Sequence, residues 1–85
     1  MYQLKWDEKA LEDLKKIGAG EAKRIVKKVS VYLVKDPAGI GKPLRGSFKG
    51  LYRYRIGDYR VVYEIQNQAV QIVVVKVGHR KDIYD

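Results

Sequence analysis

The chain has no cysteine. That removes disulfides, thiolate metal sites and a cysteine nucleophile, and it is neutral about compartment. Histidine occurs once, as His79, so neither a two-histidine ribonuclease mechanism nor a histidine-rich metal centre can be assembled. No apolar run approaches the roughly 20 residues that a membrane-spanning helix needs. The opening Met1-Tyr2-Gln3-Leu4-Lys5-Trp6 is too polar for a secretory leader, so a cytoplasmic location is expected. Proline is scarce, and both prolines fall with four of the eight glycines in residues 36–50. That segment reads as a loop, too short to link two domains. Its glycines (Gly39, Gly41, Gly46, Gly50) lack the spacing of a P-loop or a dinucleotide fingerprint. No serine has a histidine and an acid in supporting positions.

Negative charge is also in short supply. Eighteen basic residues face ten acidic ones, a net charge of +8 on 85 residues. The length suits a single domain spanning 1–85. A domain of this size buries only about 60–65% of its unfolded surface, so any site is a shallow surface feature. The excess charge points to a polyanionic or acidic partner, and its distribution sharpens that. Residues 1–41 carry nine basic side chains, all but one lysine, against six acidic ones. Residues 42–60 carry Lys42, Arg45, Lys49, Arg53, Arg55 and Arg60 against Asp58 alone. Arginine's planar fork grips phosphate through two bonds, whereas lysine is a point charge. The front half therefore reads as solvated helix surface and the back half as a phosphate-binding surface.

Hydrophobic periodicity supplies the elements. Tyr2, Leu4 and Trp6 alternate with polar residues, as in a half-buried strand. Asp7 is placed to cap a helix carrying Ala10, Leu11, Leu14 and Ile17 on one face. Its acidic residues (Asp7, Glu8, Glu12, Asp13) read as capping and solvation. After Gly18 and Gly20, the stripe Ala22, Ile25, Val26, Val29, Tyr32 and Leu33 predicts a second helix, ended by Asp36-Pro37. Strands are predicted over Leu51–Ile56, Tyr59–Gln66 and Ala69–Val77, separated by turns at Gly57-Asp58 and Asn67-Gln68. The order β-α-α-β-β-β gives an α+β fold: an N-terminal strand, a helical hairpin, then a three-stranded antiparallel meander.

Alternation along the first hairpin places its side chains. Arg53 and Arg55 share one face, and Tyr52, Tyr54 and Ile56 the other. In the next strand Tyr59, Val61 and Tyr63 oppose Arg60, Val62 and Glu64. Closing the chain at Gly57-Asp58 matches Ile56 to Tyr59 and Arg55 to Arg60, so the apolar faces coincide and so do the arginine faces. Three guanidinium groups are expected to converge on one exposed patch. Like charges directly opposite destabilise a sheet, which implies an anion to neutralise them. Arg80 and Tyr84 lie just past the last strand, within reach of the patch if that strand is central. His79 is expected to point away from Arg80.

These residues resemble the RelE/ParE superfamily of toxin–antitoxin toxins over nearly the whole chain. The resemblance rests on Trp6-Asp7-Glu8-Lys9-Ala10-Leu11-Glu12-Asp13-Leu14, on Lys42-Pro43-Leu44-Arg45-Gly46 and on Leu51-Tyr52-Arg53-Tyr54-Arg55. It continues through Gly57-Asp58-Tyr59-Arg60-Val61-Val62-Tyr63 and Val77-Gly78-His79-Arg80-Lys81-Asp82-Ile83-Tyr84. It implies a RelE-like, microbial-ribonuclease-type fold. It also implies an endoribonuclease that enters the 30S A site of the ribosome and cleaves messenger RNA there by attack of the ribose 2′-hydroxyl, with no metal or cofactor. By position, Arg53 and Arg55 match two basic strand residues, Arg60 the arginine holding the scissile phosphate, and Arg80 the arginine assisting the leaving oxygen. Tyr84 matches a tyrosine that stacks on or orients the RNA, and Lys42, Arg45 and Lys49 add RNA contacts. The implied partner is a RelB-like antitoxin in a hetero-oligomer, acidic and partly disordered.

One role is unassigned. Arginine stays charged, so Arg53 is a poor general base, and either Tyr84 takes the proton or the ribosome aligns the hydroxyl unaided. Two other functions compete. A ParE-like toxin inhibits DNA gyrase and lacks the full basic-plus-tyrosine set. A non-catalytic RNA-binding module shows exposed aromatics among its bases, whereas Tyr52, Tyr54, Tyr59 and Tyr63 are expected to face the core.

Overall fold

Helix α1 (Glu8–Ile17) begins where Asp7 allows it to. The Asp7 carboxylate accepts the Lys9 N–H at 3.2 Å, satisfying one of the first-turn donors that no helical carbonyl can reach. Lys15 and Lys16 occupy the last turn, where the helix dipole favours cations. A computed structural model describes residues 1–81 of the chain, and in it strand β1 (Gln3–Trp6) precedes α1. Gly18 alone separates α1 from α2 (Ala19–Val31). The apolar stripe of α2 is narrower than its sequence suggests. Ile25 and Val29 are buried, with Leu33 just beyond the helix, but Val26 and Tyr32 stay exposed. Val26 lies roughly 100° round the helix from Ile25, and Tyr32 falls at the break where a 3₁₀ turn, Leu33–Lys35, takes over.

Asp36-Pro37 stops that segment and also starts another. The Asp36 carboxylate accepts the Gly39 N–H at 3.2 Å, and Pro37 takes the first position of a one-turn helix α3 (Pro37–Ile40). Proline's missing N–H costs nothing at that position. Residues 36–50 are thus more ordered than a plain loop, with α3 followed by a two-residue strand β2 (Lys42–Pro43) and a 3₁₀ turn over Gly46–Phe48.

The remaining strands are β3 (Leu51–Ile56), β4 (Tyr59–Gln66) and β5 (Gln71–His79), and the sheet order is β1-β5-β4-β3-β2. The predicted meander is present, but the sheet as a whole is mixed, because β1 runs parallel to β5. β5 is an interior strand, as its apolar run implies. It starts at Gln71 rather than Ala69, since residues 67–70 form a longer turn in which Val70 has a φ of 50°, a conformation that β-branched residues adopt only at a cost. The core lies between the helices and one sheet face, where Ala10, Leu14, Ile25 and Val29 meet Ile56, Val61, Tyr63 and Val74.

Two polar contacts tie this core to its surroundings. Asp13, expected to be solvated, is only 7% exposed. Its carboxylate accepts the Val77 N–H at 2.9 Å and the Lys9 ammonium at 3.0 Å. β1 ends opposite Val74, so β5 runs on past its parallel partner, and α1 supplies the acceptor that the missing strand would have offered. On β4, the buried Tyr63 hydroxyl donates to the Pro37 carbonyl at 2.5 Å. A side chain on Gly41 would overlap that hydroxyl, so the close approach of α3 to the sheet requires glycine there.

Both contacts generate predictions. Asp13→Ala leaves the Val77 N–H buried without an acceptor and should lower the unfolding free energy in urea by about 1–3 kcal/mol. Asp13→Asn keeps an acceptor oxygen and should cost less. Burial pushes the Tyr63 phenol well above its ordinary value near 10. An unfolded chain ionises this phenol near pH 10 while the folded protein holds the proton. The associated stability is complete below about pH 10 and is lost as pH rises above it. Urea titrations at rising pH should show that alkaline loss in the wild type. Tyr63→Phe should show a shallower loss, from a start about 1–2 kcal/mol lower at neutral pH.

Candidate active site

The β3–β4 register is the one the sequence implies, with Arg55 opposite Arg60 and Ile56 opposite Tyr59. Gly57 makes the turn possible, taking a φ of 59° that an L side chain rarely adopts. Tyr52, Tyr54, Tyr59 and Tyr63 all pack into the main core on the helix side, and Tyr52 stacks on Tyr63 with ring centroids 5.7 Å apart. The arginines are therefore left on the face that the helices do not cover.

That face carries cations in two rows across the strands. Arg55 and Arg60 form one, continued by Gly78 of β5. Lys42 of β2 and Arg53 of β3 form the other, beside Val62. Arg55 is exposed and Arg53 half-buried. Arg60 departs from the expected exposed patch, being only 5% exposed. Its Nη1 donates to the carbonyls of Tyr59 at 3.3 Å and Gly57 at 3.5 Å. It sits on an inner strand, between Arg55 of β3 and Gly78 of β5. Arg60 is thus a fixed charge at the floor of the patch, and Arg55 a solvated one at its surface.

Arg80 arrives at the same end of the sheet. Its backbone N–H donates to the Asp58 carbonyl at 2.7 Å, and its Nε lies 3.8 Å from the Asp58 carboxylate. The turn that sets the register also anchors Arg80. His79 takes the opposite face, its ring edge-on to Tyr59 at 5.6 Å, in a groove shared with Lys9 and Lys16 of α1. Arg24 of α2 approaches the turn from the helix side: a Cβ on Gly57 would lie 3.3 Å from its guanidinium. Tyr84 lies outside the described residues.

A small second core holds the preceding loop onto the open face. Leu44 and Val62 are buried together, with Leu51 and Val75 against them. Above it runs an open groove of about 550 Å³ between the loop and the sheet, into which Lys42, Arg45 and Arg53 bring their side chains. Lys49 is exposed at the end of the 3₁₀ turn and does not line the groove. Phe48 does line it and is 38% exposed. The sequence reading missed this ring by attending to the tyrosines. The available signal was the chain's one phenylalanine standing between Arg45 and Lys49 in a glycine-rich stretch.

The face concentrates positive charge on hydrogen-bond donors fixed by strands and a turn. Such an array stabilises negative charge that grows on a phosphoryl group.

The matches to known proteins agree with this architecture. Residues 4–84 fit the family model described as the ParE toxin of type II toxin–antitoxin systems. Toxin RelG of Mycobacterium tuberculosis is 32% identical over 98% of this chain and 95% of its own length. The mRNA interferase toxin RelE of Escherichia coli is 30% identical over 94% of this chain and 84% of its own. The toxin chain in the crystal structure of the M. tuberculosis RelBE2 toxin–antitoxin complex superposes with a TM-score of 0.88 at 30% identity, covering 93% of this chain and 98% of that one. The fold, the cationic sheet face and these relatives together place the chain in the RelE/ParE superfamily of type II toxin–antitoxin toxins.

Proposed function

We propose that this chain is a ribosome-dependent endoribonuclease that cuts messenger RNA in the 30S A site. The observation that carries the reading is the sheet face opposite the helices, where Arg53, Arg55, Arg60 and Lys42 are gathered by strand register with Arg80 at its edge. The name mRNA interferase on a relative of similar length supports it. The ribose 2′-oxygen attacks the adjacent phosphorus and the bond to the 5′-oxygen of the next nucleotide breaks. The products are a 2′,3′-cyclic phosphate and a 5′-hydroxyl. Arg60 holds the scissile phosphate as a fixed cation, Arg53 and Arg55 neutralise its outer oxygens, and Arg80 stabilises the leaving oxygen. Arginine cannot accept the 2′ proton. That proton goes to Tyr84, or to solvent water where the ribosome aligns the hydroxyl unaided, and the leaving 5′-oxygen takes up a proton from solvent. No metal enters this scheme.

A RelB-like antitoxin is the natural partner, since related toxins crystallise as RelBE complexes. An acidic, partly disordered chain suits the +8 charge of this protein. Acting on ribosomes places the protein in the cytoplasm, and none of its described helices is long and apolar enough to cross a membrane. The description of the matching family as ParE keeps gyrase inhibition as the second reading.

Cell-free translation with mapping of messenger RNA ends separates the two. Cuts within codons should appear only with ribosomes present. Arg55→Ala and Arg80→Ala, both at exposed positions, should each slow cutting by about 10²–10³-fold. Intact messenger RNA together with gyrase-dependent DNA breaks would overturn the nuclease reading.

A further inference from the structure

We propose that the neutral His79 ring positions Arg80, accepting the Lys81 N–H and so fixing the turn that aims Arg80 at the leaving oxygen. The inference rests on the ribonuclease reading and names a positioning residue that the reading does not use.

β5 ends at His79, and Arg80 and Lys81 form a turn. Two hydrogen bonds hold that turn. The Arg80 N–H donates to the Asp58 carbonyl at 2.7 Å, and the Lys81 N–H donates to Nδ1 of His79 at 3.2 Å. One bond ties Arg80 to the β3–β4 turn, and the other ties the next amide back to the last residue of the strand. A side chain that accepts the N–H two residues on is the device by which asparagine and aspartate form turns. Here an imidazole does the same. The Arg80 side chain is exposed, and its Nε lies 3.8 Å from the Asp58 carboxylate, beyond hydrogen-bond length. Its direction is therefore set by the backbone that carries it.

The ring is itself held in place. His79 pairs with Tyr59 across the sheet, and the two rings meet edge to face with centroids 5.6 Å apart. The imidazole lies in the groove between α1 and β5, on the side opposite the cationic face. It acts through the backbone, not on the RNA. Lys9, Asp13 and Lys16 of α1, Tyr59 of β4 and Lys76 of β5 line the same groove. The Asp13 carboxylate is engaged by Lys9 and by the Val77 N–H, and that of Asp58 faces Arg80. Nδ1 accepts only while it carries no proton, so the bond selects the neutral tautomer protonated on Nε2. A ring protonated on both nitrogens has no acceptor left. Imidazole changes charge between about pH 5 and 8. The turn is therefore held above that range and released as pH falls through it.

Single-turnover cleavage on programmed ribosomes tests this. His79→Phe keeps a ring against Tyr59 but has no acceptor, and should cut about 3- to 10-fold more slowly than the wild type near pH 8. His79→Asn puts an amide oxygen where Nδ1 stood and should recover most of that rate. Asparagine does not titrate, so dividing the wild-type rate by the His79→Asn rate at each pH cancels effects on the ribosome and the message. That ratio should fall about 3- to 10-fold between roughly pH 8 and pH 5.5. On an Arg80→Ala background, His79→Phe should cost nothing further, because its effect passes through Arg80. A ratio flat with pH, no rescue by asparagine, or an undiminished cost without Arg80 overturns the proposal and leaves the nuclease reading intact. If no message is cut, the nuclease reading fails, and NMR of the free protein decides the positioning alone. His79 is the chain's only histidine, so its ring signals are unambiguous. The neutral ring should carry its proton on Nε2, and the Lys81 amide shift should follow the titration of the ring. A proton on Nδ1, or a Lys81 amide indifferent to the ring, overturns the proposal.

Discussion

The turn at Gly57-Asp58 sets the pairing of β3 with β4, and the rest of the molecule depends on that register. A slip of one residue would send every side chain of one strand to the other face. In the register observed, Tyr52, Tyr54, Ile56, Tyr59, Val61 and Tyr63 join the core under the helices. Arg53, Arg55 and Arg60 are carried to the far side by the same geometry. Burying each large apolar side chain contributes about 1.5–3 kcal/mol, whereas a like-charged cross-strand pair costs about 0.2–1 kcal/mol. The apolar face therefore decides the register, and the arginines are held together against their repulsion. The turn acts a second time through Asp58, whose carbonyl and carboxylate both meet Arg80.

The loop that completes the site is coupled to the same core from two directions. Tyr63, at the centre of the sheet, reaches through to the Pro37 carbonyl and fixes α3. Leu44 sits on Val62 on the opposite face of β4. Adjacent residues of one strand thus anchor Pro37 and Leu44, on either side of Lys42 and just ahead of Arg45. A shallow site on a thin core can be rigid in this way without a cleft between domains.

Much of this is legible in the sequence, and the failures have physical causes. Alternation in Leu51–Ile56 and Tyr59–Gln66 holds apart from Leu51 and Val62, so faces and register follow from period and turn. Arg60 is harder, because its exposure depends on which strand is interior, a fact of topology rather than of pattern. Asp13 is hidden for a similar reason: its role arises only because β1 is shorter than β5. Residues 36–50 read as loop because α3 and the 3₁₀ turn are too short to show a period. Phe48 gives no periodic signal for the same reason. The roles proposed for the cluster rest on resemblance to the family, not on spacing.

The central claim is that the arginine face holds a phosphate while the neighbouring 2′-hydroxyl attacks it. Purified ribosomes carrying a message with a single 2′-deoxy nucleotide in the A site test this directly. The account predicts that the deoxy nucleotide blocks the cut at its own 3′ phosphate, while the all-ribose message yields a 2′,3′-cyclic phosphate and a 5′-hydroxyl. Cutting of the deoxy message at that same phosphate would contradict it.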